Sequence, residues 1–450
     1  MTSPPTHPRP PAAKPPNAFS IPNFRAYWLG RLAMTLAQYG MLLIIGWQTY
    51  NLARGSGMSV GEASGQLALI GLLQFLPLFA LTPFSGLAAD RFDRRNLARI
   101  TVLLQLLCAL VLAWVTWRGD IQLPVLFGVA VMLGVARAFA GPSLSALAPN
   151  LVPPAVLPNA IALSSISWQA GMIIGPALGG YLYVIAPWAP YTAAAVLFVV
   201  ALLALSMIGD IPRAARAAPA HPIRQIFDGL TYVGRNKMVL GSITLDLFAV
   251  FLAGATALFP VYARDILDIG APGLSQLAMA PAIGAAATAL WFSFRPLQHN
   301  VGPYMLISVG VFGAATIGFG LSTYLPFSLA MLVVVGAADM FSVYIRQSLI
   351  QLHTPDEKRG RVSAVSQLTI SASNEFGDFF SGSMAFLIGP VAAVVAGGAG
   401  AIVTVVAWSR LFPVLRTTKT FDPPPDLLHP DLLHRTDETT REPQTGETRP

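Results

Sequence analysis

The chain has very little of what soluble proteins depend on. Only 11% of its 450 residues are charged, whereas soluble domains carry roughly a quarter. Its single cysteine, Cys108, excludes an internal disulfide, and its histidines and carboxylates form no metal-ligand pattern. The sequence also lacks a hydrolase-type nucleophile motif and a phosphate-binding loop. We therefore expect neither an enzyme nor a metal or other cofactor.

Apolar residues dominate instead, at 54% of the chain, with a mean hydropathy of +0.61. A helix needs roughly 20 apolar residues to cross a bilayer, and runs of this length recur along the sequence. In a soluble protein the net charge of +7 would suggest nucleic acid. Here the basic residues fall mainly between the apolar runs and in the tails, so we expect no nucleic-acid partner.

Hydropathy predicts an all-α membrane protein with twelve transmembrane helices in two six-helix bundles. The predicted domains are a disordered tail at 1–20, a bundle at 21–208, a linker at 209–237, a bundle at 238–415 and a disordered tail at 416–450. The predicted spans are Phe24–Tyr50, Gln66–Ala89, Leu97–Trp117, Leu123–Pro149, Asn159–Ile185, Trp188–Ile208, Met238–Tyr262, Leu274–Phe294, Gly302–Ser322, Leu325–Gln351, Val362–Ile388 and Pro390–Phe412. Within the linker, apolar residues recur at helical spacing from Ile223 to Lys237, which predicts an amphipathic helix on the membrane surface.

The basic residues also predict the orientation. If both termini are cytoplasmic, the outside loops hold only Arg54, Arg118 and Arg264. The first 20 residues contain no apolar segment, so we expect no cleavable signal peptide. These features predict a multi-pass protein of the inner membrane with both ends inside. A tandem Pro-Asp-Leu-Leu-His repeat at 425–429 and 430–434 is either a partner motif or neutral.

The two halves resemble each other at an offset of 202 positions. Pro153 then matches Pro355, and Gly175 matches Gly377. Glycine matches are common in an apolar chain, but this offset agrees with the division into six and six spans. A parallel repeat about an axis normal to the membrane is one way to build a transporter.

The loop between spans 2 and 3 carries a known motif. Its residues Gly86-Leu-Ala-Ala-Asp-Arg-Phe-Asp-Arg-Arg95 resemble the Gly-x-x-x-Asp-Arg-x-Gly-Arg-Arg motif of the major facilitator superfamily. The matching positions are Gly86, Asp90, Arg91, Arg94 and Arg95. Asp93 replaces the usual second glycine, and a short aspartate can cap a turn where glycine supplies conformational freedom.

Two further segments extend the resemblance. Span 5 contains Gly171, Gly175, Pro176, Gly179 and Gly180, which match the Gly-x-x-x-Gly-Pro-x-x-Gly-Gly pattern of drug–proton antiporters. Small residues four apart let two helices approach closely, so a generic packing seam also explains the glycines. The segments 351–362 and 373–382 look like the branch that contains the enterobactin exporter and related efflux proteins.

The resemblance implies a mechanism for the charged loop. The two bundles are expected to rock around a central site, and the Asp90 carboxylate to dock near the start of span 11 beside Arg359 and Arg361. A helix N-terminus and arginine side chains both favour an anion there. Gly86, Asp90, Arg91, Arg94, Arg95, Arg359 and Arg361 would thus form a conformational switch. Most members of the superfamily act as monomers, so we expect a monomer.

Ionisable residues inside spans are costly and indicate function. They are Arg31, Arg137, Asp246, Asp339 and Arg346. The resemblance implies that spans 1, 4, 7 and 10 line the central cavity. We expect Arg137 to pair with Asp339 and Arg31 with Asp246 across the two halves. The alternative is that these charges only satisfy helix packing or reach the membrane interface.

Other side chains complete the candidate site. Glu375 and Asp378 lie three residues apart, hence on one helix face, and are candidates for proton coupling. Gln38, Tyr39, Trp168 and Gln169 are candidate substrate contacts. Tyr27, Trp28 and Tyr50, near the ends of span 1, are typical of the aromatic belts at membrane interfaces.

The sequence thus favours a secondary active transporter that exports a small organic molecule, a siderophore or a drug, in exchange for protons. Its partners are the substrate, protons and the lipid bilayer. A proton-coupled importer is the first alternative. A membrane sensor or scaffold that does not transport is the second, with the tail at 416–450 recruiting other proteins.

Overall fold

A computed structural model of the chain describes residues 17–209 and 222–422. Within these ranges every regular element is helical, and short 3-10 turns lie between some of the helices. The α-helices are α1 Pro22–Gly55, α2 Val60–Arg91, α3 Arg94–Trp117, α4 Leu123–Leu147, α5 Leu157–Ile185, α6 Ala189–Ser206, α7 Pro222–Arg235, α8 Lys237–Ala253, α9 Phe259–Val261, α10 Gly270–Phe294, α11 Val301–Gly320, α12 Leu325–Leu352, α13 Asp356–Ile388, α14 Pro390–Leu411 and α15 Pro413–Thr417. Most of the two predicted disordered tails, part of the linker and the tandem repeat lie outside the described residues.

Among the described residues, eleven helices are long and apolar enough to cross a membrane. The helix at the position of the predicted eleventh span, α13, has 33 residues, or about 50 Å at 1.5 Å per residue. This helix is long enough to cross a membrane, but its polar and charged residues make it too polar to be recognised as a span by hydropathy. The chain is therefore an all-α, multi-pass membrane protein.

Several predicted span boundaries differ from the helix bounds, and two of the differences bear on the site. The helix α13 begins at Asp356 rather than Val362, directly after Pro355, which stands at its N-cap with φ −54° and ψ 145°. Predicted span 7 is interrupted: α8 ends at Ala253, and the chain then passes through short turns into a π-helix, Tyr262–Ile266. The apolar run continues through this break, so hydropathy alone could not reveal it.

The helix bounds follow the predicted repeat. Shifted by 202 positions, α4 covers 325–349, and α12 is Leu325–Leu352. Shifted in the same way, α5 covers 359–387, and α13 is Asp356–Ile388. The same shift brings Arg137 of α4 onto Asp339 of α12.

The chain forms two compact units. The first comprises Met1–Trp47 and Leu76–Pro219, and the second comprises Gln48–Phe75 and Ala220–Pro450. The end of α1 and the first part of α2 thus pack with the residues of the second unit. In this unit Gly71 of α2 approaches α13 so closely that an added Cβ would lie 3.3 Å from the Phe379 nitrogen.

In the first unit, α1 and α5 meet at the predicted glycine motif. An added Cβ on Gly175 would lie 2.8 Å from the Leu36 carbonyl oxygen, and one on Gly179 would lie 2.8 Å from the Gly40 carbonyl oxygen. Pro176 and Gly180 are buried in the same helix. Because no side chain separates the two backbones, this contact requires glycine.

Asp93 begins α3. Its backbone is extended, with φ −65° and ψ 119°, and its carboxylate accepts a hydrogen bond of 2.9 Å from the Arg95 backbone nitrogen. The Arg95 guanidinium forms an ion pair with the same carboxylate at 2.9 Å and donates to the Gly209 carbonyl at 2.7 Å. Asp93 therefore replaces the glycine of the motif by capping the helix.

In the second unit, the segment after α15 caps α11. Asn300 precedes that helix with φ 56° and ψ 36° and gives it no side-chain cap. Instead, the Gly302 backbone nitrogen donates to the Thr418 carbonyl at 3.1 Å, and the Val301 nitrogen donates to the Lys419 carbonyl at 3.4 Å. Residues up to 422, assigned to a disordered tail by the sequence, thus belong to this unit.

The linker helix α7 is bound to α13. Val233 is 4% exposed and packs in a cluster with Val362 and Val365, while an added Cβ on Gly229 would lie 2.8 Å from the Arg361 carbonyl oxygen. On the other side, Phe227 and Leu230 are 63% and 48% exposed. The helix is therefore amphipathic, and among the described residues one apolar side packs against the protein while Phe227 and Leu230 are exposed.

We predict that Gly175→Ala destabilises the α1–α5 contact. Overpacking at a close backbone approach costs about 1–3 kcal/mol, so the thermal unfolding midpoint of the purified protein in detergent should fall. Gly128→Ala is the matched control, because nothing lies within 4 Å of an added Cβ on that α4 residue. Equal midpoints for the two variants would show that the seam does not need glycine.

The Asp93 cap gives a second prediction. Both Asp93→Ala and Asp93→Gly remove the Arg95 ion pair. Beyond that loss, Asp93→Ala should lower the free energy of unfolding by about 1 kcal/mol, whereas Asp93→Gly, which restores the motif, should lower it by only a few tenths. Thermal unfolding of both variants in the same detergent measures the difference. If alanine and glycine are equally destabilising, the side-chain cap is not what stabilises α3.

Candidate functional site

A buried ion pair lies between α8 and α12. The Asp246 carboxylate contacts the Arg346 guanidinium, and these residues are 6% and 2% exposed. The sequence prediction paired Asp246 with Arg31, and the structure corrects that assignment. Arg346 lies in the same compact unit as Asp246. It therefore neutralises the Asp246 carboxylate without a partner from the other half.

A second carboxylate lies beside this pair. Asp339 precedes Arg346 by seven residues on α12, so both lie on one helix face. Asp246, Asp339 and Ser342 line a cavity of about 10 Å³, which is roughly the space for one water molecule. Among the described residues of its own unit, Asp339 has no ion pair. The site thus contains two carboxylates around a shared cavity. Asp246 is neutralised by Arg346, whereas Asp339 has no ion pair with a described residue of its unit.

Arg31 has a different environment in the first unit. Its guanidinium donates a 2.7 Å hydrogen bond to the Tyr27 hydroxyl and lies 5.8 Å from the centroid of the Trp168 ring. The Nε atom is buried and has no partner in the described part of the chain. Tyr39 packs edge-on against Trp168, with ring centroids 5.8 Å apart. Three of the predicted residues, Arg31, Tyr39 and Trp168, therefore form one cluster.

The remaining predicted residues are more dispersed. Gln38 and Gln169 are partly buried, on α1 and α5, and Arg137 is partly buried on α4. On α13, Glu375 is 9% exposed, and Asp378 accepts a 2.8 Å hydrogen bond from the Thr256 hydroxyl. Asp378 is therefore bonded to the segment that follows α8.

The switch loop is only partly described. Gly86, Asp90 and Arg91 are in the last turns of α2, but their side chains lie outside the described residues. Arg94 begins α3, and Arg95 binds Asp93. On α13, Arg361 forms an exposed ion pair of 3.3 Å with Asp228 of α7, and Arg359 donates to the Gln351 carbonyl at 3.1 Å.

The sequence analysis missed a polar cluster at the end of α1, which we call the Asp265 cluster: Tyr50, Asn51, Arg54, Arg264 and Asp265. The Tyr50 hydroxyl donates to the Asp265 carboxylate, and Arg54 approaches that carboxylate at 3.3 Å. Arg264 donates to the Asn51 side-chain oxygen at 2.6 Å. All five residues belong to the second unit.

The burial of two tyrosines of α1 also corrects a prediction. Tyr50 and Tyr27 are 0% exposed, so neither is an interfacial belt residue. Both were misassigned because a tyrosine near a helix end has the same sequence signature whether it contacts lipid or protein. The available signal was the charge of Arg54, Arg264 and Asp265 close to that end. Arg264 and Asp265 lie in the π-helix Tyr262–Ile266, an element frequent at functional sites.

In the described ranges, His, Cys, Asp and Glu side chains form no group of three that could hold a metal ion. The candidate site therefore consists of ion pairs, carboxylates and aromatic rings. Such a set can bind and exchange protons or organic ligands.

Comparison with known proteins agrees with this architecture. The family model of the Major Facilitator Superfamily matches residues 27–377. The chain is 25% identical over 390 residues to the Enterobactin exporter EntS of Escherichia coli O127:H6, covering 85% of this chain and 90% of that protein. It is 24% identical over 413 residues to the Enterobactin exporter EntS of Citrobacter koseri, covering 90% and 95% of the two chains.

Solved structures show the same fold. The D-xylose-proton symporter matches with a TM-score of 0.69 at 13% identity, covering 88% of this chain and 98% of that one. The nucleoside transporter NupG matches with a TM-score of 0.68 at 12% identity, covering 87% and 100%. The family model spans most of the chain, and the described helices have the fold of its solved transporters. The chain belongs to the Major Facilitator Superfamily and is a membrane transporter.

Proposed function

We propose that this transporter exports a small organic molecule, a siderophore or a drug, across the cytoplasmic membrane in exchange for protons. The observation that carries the proposal is the shared cavity of Asp246 and Asp339 in a helix pair buried in the second unit. Export is favoured by the curated relatives, which are named as enterobactin exporters. The basic residues favour an orientation with both termini in the cytoplasm.

The two carboxylates have different roles in this proposal. Asp246 stays charged because Arg346 neutralises it, so it acts as a fixed part of the site. Asp339 can gain or lose a proton without breaking an ion pair within its unit. A water molecule in the cavity between them would connect the two carboxylates by hydrogen bonds. Asp339 is therefore the proposed proton carrier.

The cluster around Arg31 is the proposed substrate contact. Its guanidinium lies beside the Trp168 ring, which Tyr39 contacts edge-on, and its buried Nε has no hydrogen-bond partner among the described residues. A cation beside aromatic rings binds flat, polar organic groups by hydrogen bonds and stacking. Gln38, Gln169 and Arg137 are proposed to extend this surface, and Glu375 and Asp378 to assist proton movement.

The Asp265 cluster is proposed to be a latch at the outer end of the transporter. In the rocking mechanism of this superfamily, the outer ends of the two halves separate when the site opens outward. Tyr50 and Arg54 of α1, in the N-terminal half of the sequence, hold Asp265 of the C-terminal half. We propose that these contacts break in that step. The switch loop at 86–95, with Arg359 and Arg361, is proposed to act at the inner end.

The decisive test is a proton-flux assay in proteoliposomes with candidate siderophores and drugs. We predict that Asp339→Asn reduces substrate-driven proton flux by at least about tenfold while substrate–substrate exchange continues, because a neutral amide cannot carry a proton. Asp120→Asn is the matched control, since Asp120 is an exposed loop residue paired with Arg118 at 3.1 Å. Unchanged flux in Asp339→Asn would exclude Asp339 as the carrier. Uptake into right-side-out rather than everted vesicles would indicate import.

The latch makes a separate prediction. Asp265→Ala removes the Tyr50 and Arg54 contacts, worth on the order of 1–3 kcal/mol, and should shift the protein towards the outward-open state. Thr49→Cys in a Cys108→Ser background reports this opening, because Thr49 is 0% exposed. Labelling by a membrane-impermeant maleimide should accelerate about tenfold for each ~1.4 kcal/mol of shift.

Arg118→Ala is the control for the latch, because it removes a charge from another predicted outer loop and leaves the contacts of the Asp265 cluster unchanged. It should leave labelling of Thr49→Cys unchanged. If Asp265→Ala and Arg118→Ala label at the same rate, the cluster does not hold the outer end closed.

A further inference from the structure

The second unit contains a cavity that the transport site does not use. It has a volume of about 690 Å³ and lies where the end of α7, the start of α8, the end of α12 and the segment after α15 meet. It is far larger than the carboxylate cavity and open on one side. Its lining combines the apolar side chains of Met238 and Val414 with charged and polar side chains.

The charge of this cavity favours an anion. Arg235, Lys237 and Lys419 line it, against one carboxylate, Asp422, which already accepts a 2.6 Å hydrogen bond from the Thr420 hydroxyl. Within 17–209 and 222–422, none of the three cations forms an ion pair. Burial lowers the pKa of the lining His353 imidazole, so this ring is neutral at pH 7 and adds no charge. Among the described residues, three cations therefore face one carboxylate, and the lining carries a net positive charge.

The walls of the cavity are held in place without a ligand. The Tyr232 hydroxyl donates to the His353 carbonyl at 2.9 Å, and the Asn236 side-chain oxygen caps α8 by accepting from the Met238 nitrogen at 3.1 Å. On the opposite wall, the backbone at Thr418 and Lys419 is fixed because it caps α11. The backbone of the walls is thus fixed, and the three basic side chains form no ion pair within the described residues, as expected of a preformed binding site.

The surroundings distinguish an amphiphilic ligand from a fully soluble one. The helix α7, which supplies Arg235, exposes Phe227 and Leu230 on its outer side, and these apolar side chains have no protein cover within the described residues. An amphipathic helix of this kind lies in the membrane interface, with its apolar side among the acyl chains. The cations of the cavity are thereby placed at the height of the lipid head groups.

We propose that this cavity binds the phosphate group of an anionic phospholipid from the inner leaflet, with Arg235, Lys237 and Lys419 contacting its oxygens. Basic pockets beside transmembrane helices on the cytoplasmic side are suited to such head groups, because that leaflet carries the anionic lipids. The lipid would join the linker helix to the segment that caps α11. The proposal rests on the cytoplasmic orientation of the linker and is independent of the direction of transport.

The test uses the full chain in phosphatidylcholine nanodiscs with increasing fractions of phosphatidylglycerol. A ligand that binds only the folded protein raises the thermal unfolding midpoint with its concentration. We expect phosphatidylglycerol to raise the midpoint of the wild type, and native mass spectrometry to retain one bound lipid. Arg235→Gln/Lys237→Gln should weaken that binding at least about tenfold.

Arg295→Gln/Arg416→Gln is the matched control. It removes the same charge from two exposed arginines that do not line the cavity, so it reports the non-specific attraction of basic residues to an anionic membrane. This control should bind phosphatidylglycerol as the wild type does. If both double variants lose binding equally, the proposed site is overturned.

Two further arms complete the test. Glycerol 3-phosphate or inorganic phosphate that raises the midpoint as strongly as the lipid would overturn the lipid as the ligand. Lys419→Gln keeps the backbone carbonyl that caps α11, so it should fold even if the double variant does not. If the single variants Lys419→Gln and Lys237→Gln both bind phosphatidylglycerol as the wild type does, the proposal is also overturned.

Discussion

The buried ion pair of Asp246 and Arg346 is the constraint on which the interior of the second unit depends. Removing one partner of a buried pair costs about 3–5 kcal/mol, because the other charge is left unneutralised. Neither α8 nor α12 can therefore rotate far from its present face without a large penalty. Since Asp339 lies seven residues before Arg346, the same constraint directs Asp339 towards the shared cavity. The position of the proposed proton carrier thus follows from the pairing of two other residues.

The sequence predicts those features that depend on composition and period. A helix in lipid must satisfy its own backbone groups, so apolar length alone locates most spans. Charge asymmetry and the motif at 86–95 add an expected orientation and the family. The register of the internal repeat was also predicted, as the bounds of α4 and α12 show. These signals are local or additive, so they need no knowledge of which helices are neighbours.

The features that the sequence did not predict all concern neighbours. Asp246 was assigned to Arg31 because hydropathy gives the depth of a charge but not the helix that faces it. Tyr50 was assigned to an aromatic belt, although its hydroxyl binds Asp265, more than 200 positions along the chain. The break after α8 was hidden because the turns between Ala253 and Tyr262 are as apolar as an α-helix. In each case the decisive quantity is a tertiary contact.

The linker helix connects these observations in the second unit. Its Asp228 holds Arg361, one of the arginines that the superfamily resemblance assigns to the Asp90 switch. Both partners are almost half exposed, and such a pair is worth at most about 1 kcal/mol, so the Asp228–Arg361 pair can open at little cost. The glycine at 229 and the buried Val233 fix α7 against α13 more firmly than this ion pair does. A lipid bound at Arg235 and Lys237 would strengthen that docking and keep Asp228 within reach of Arg361.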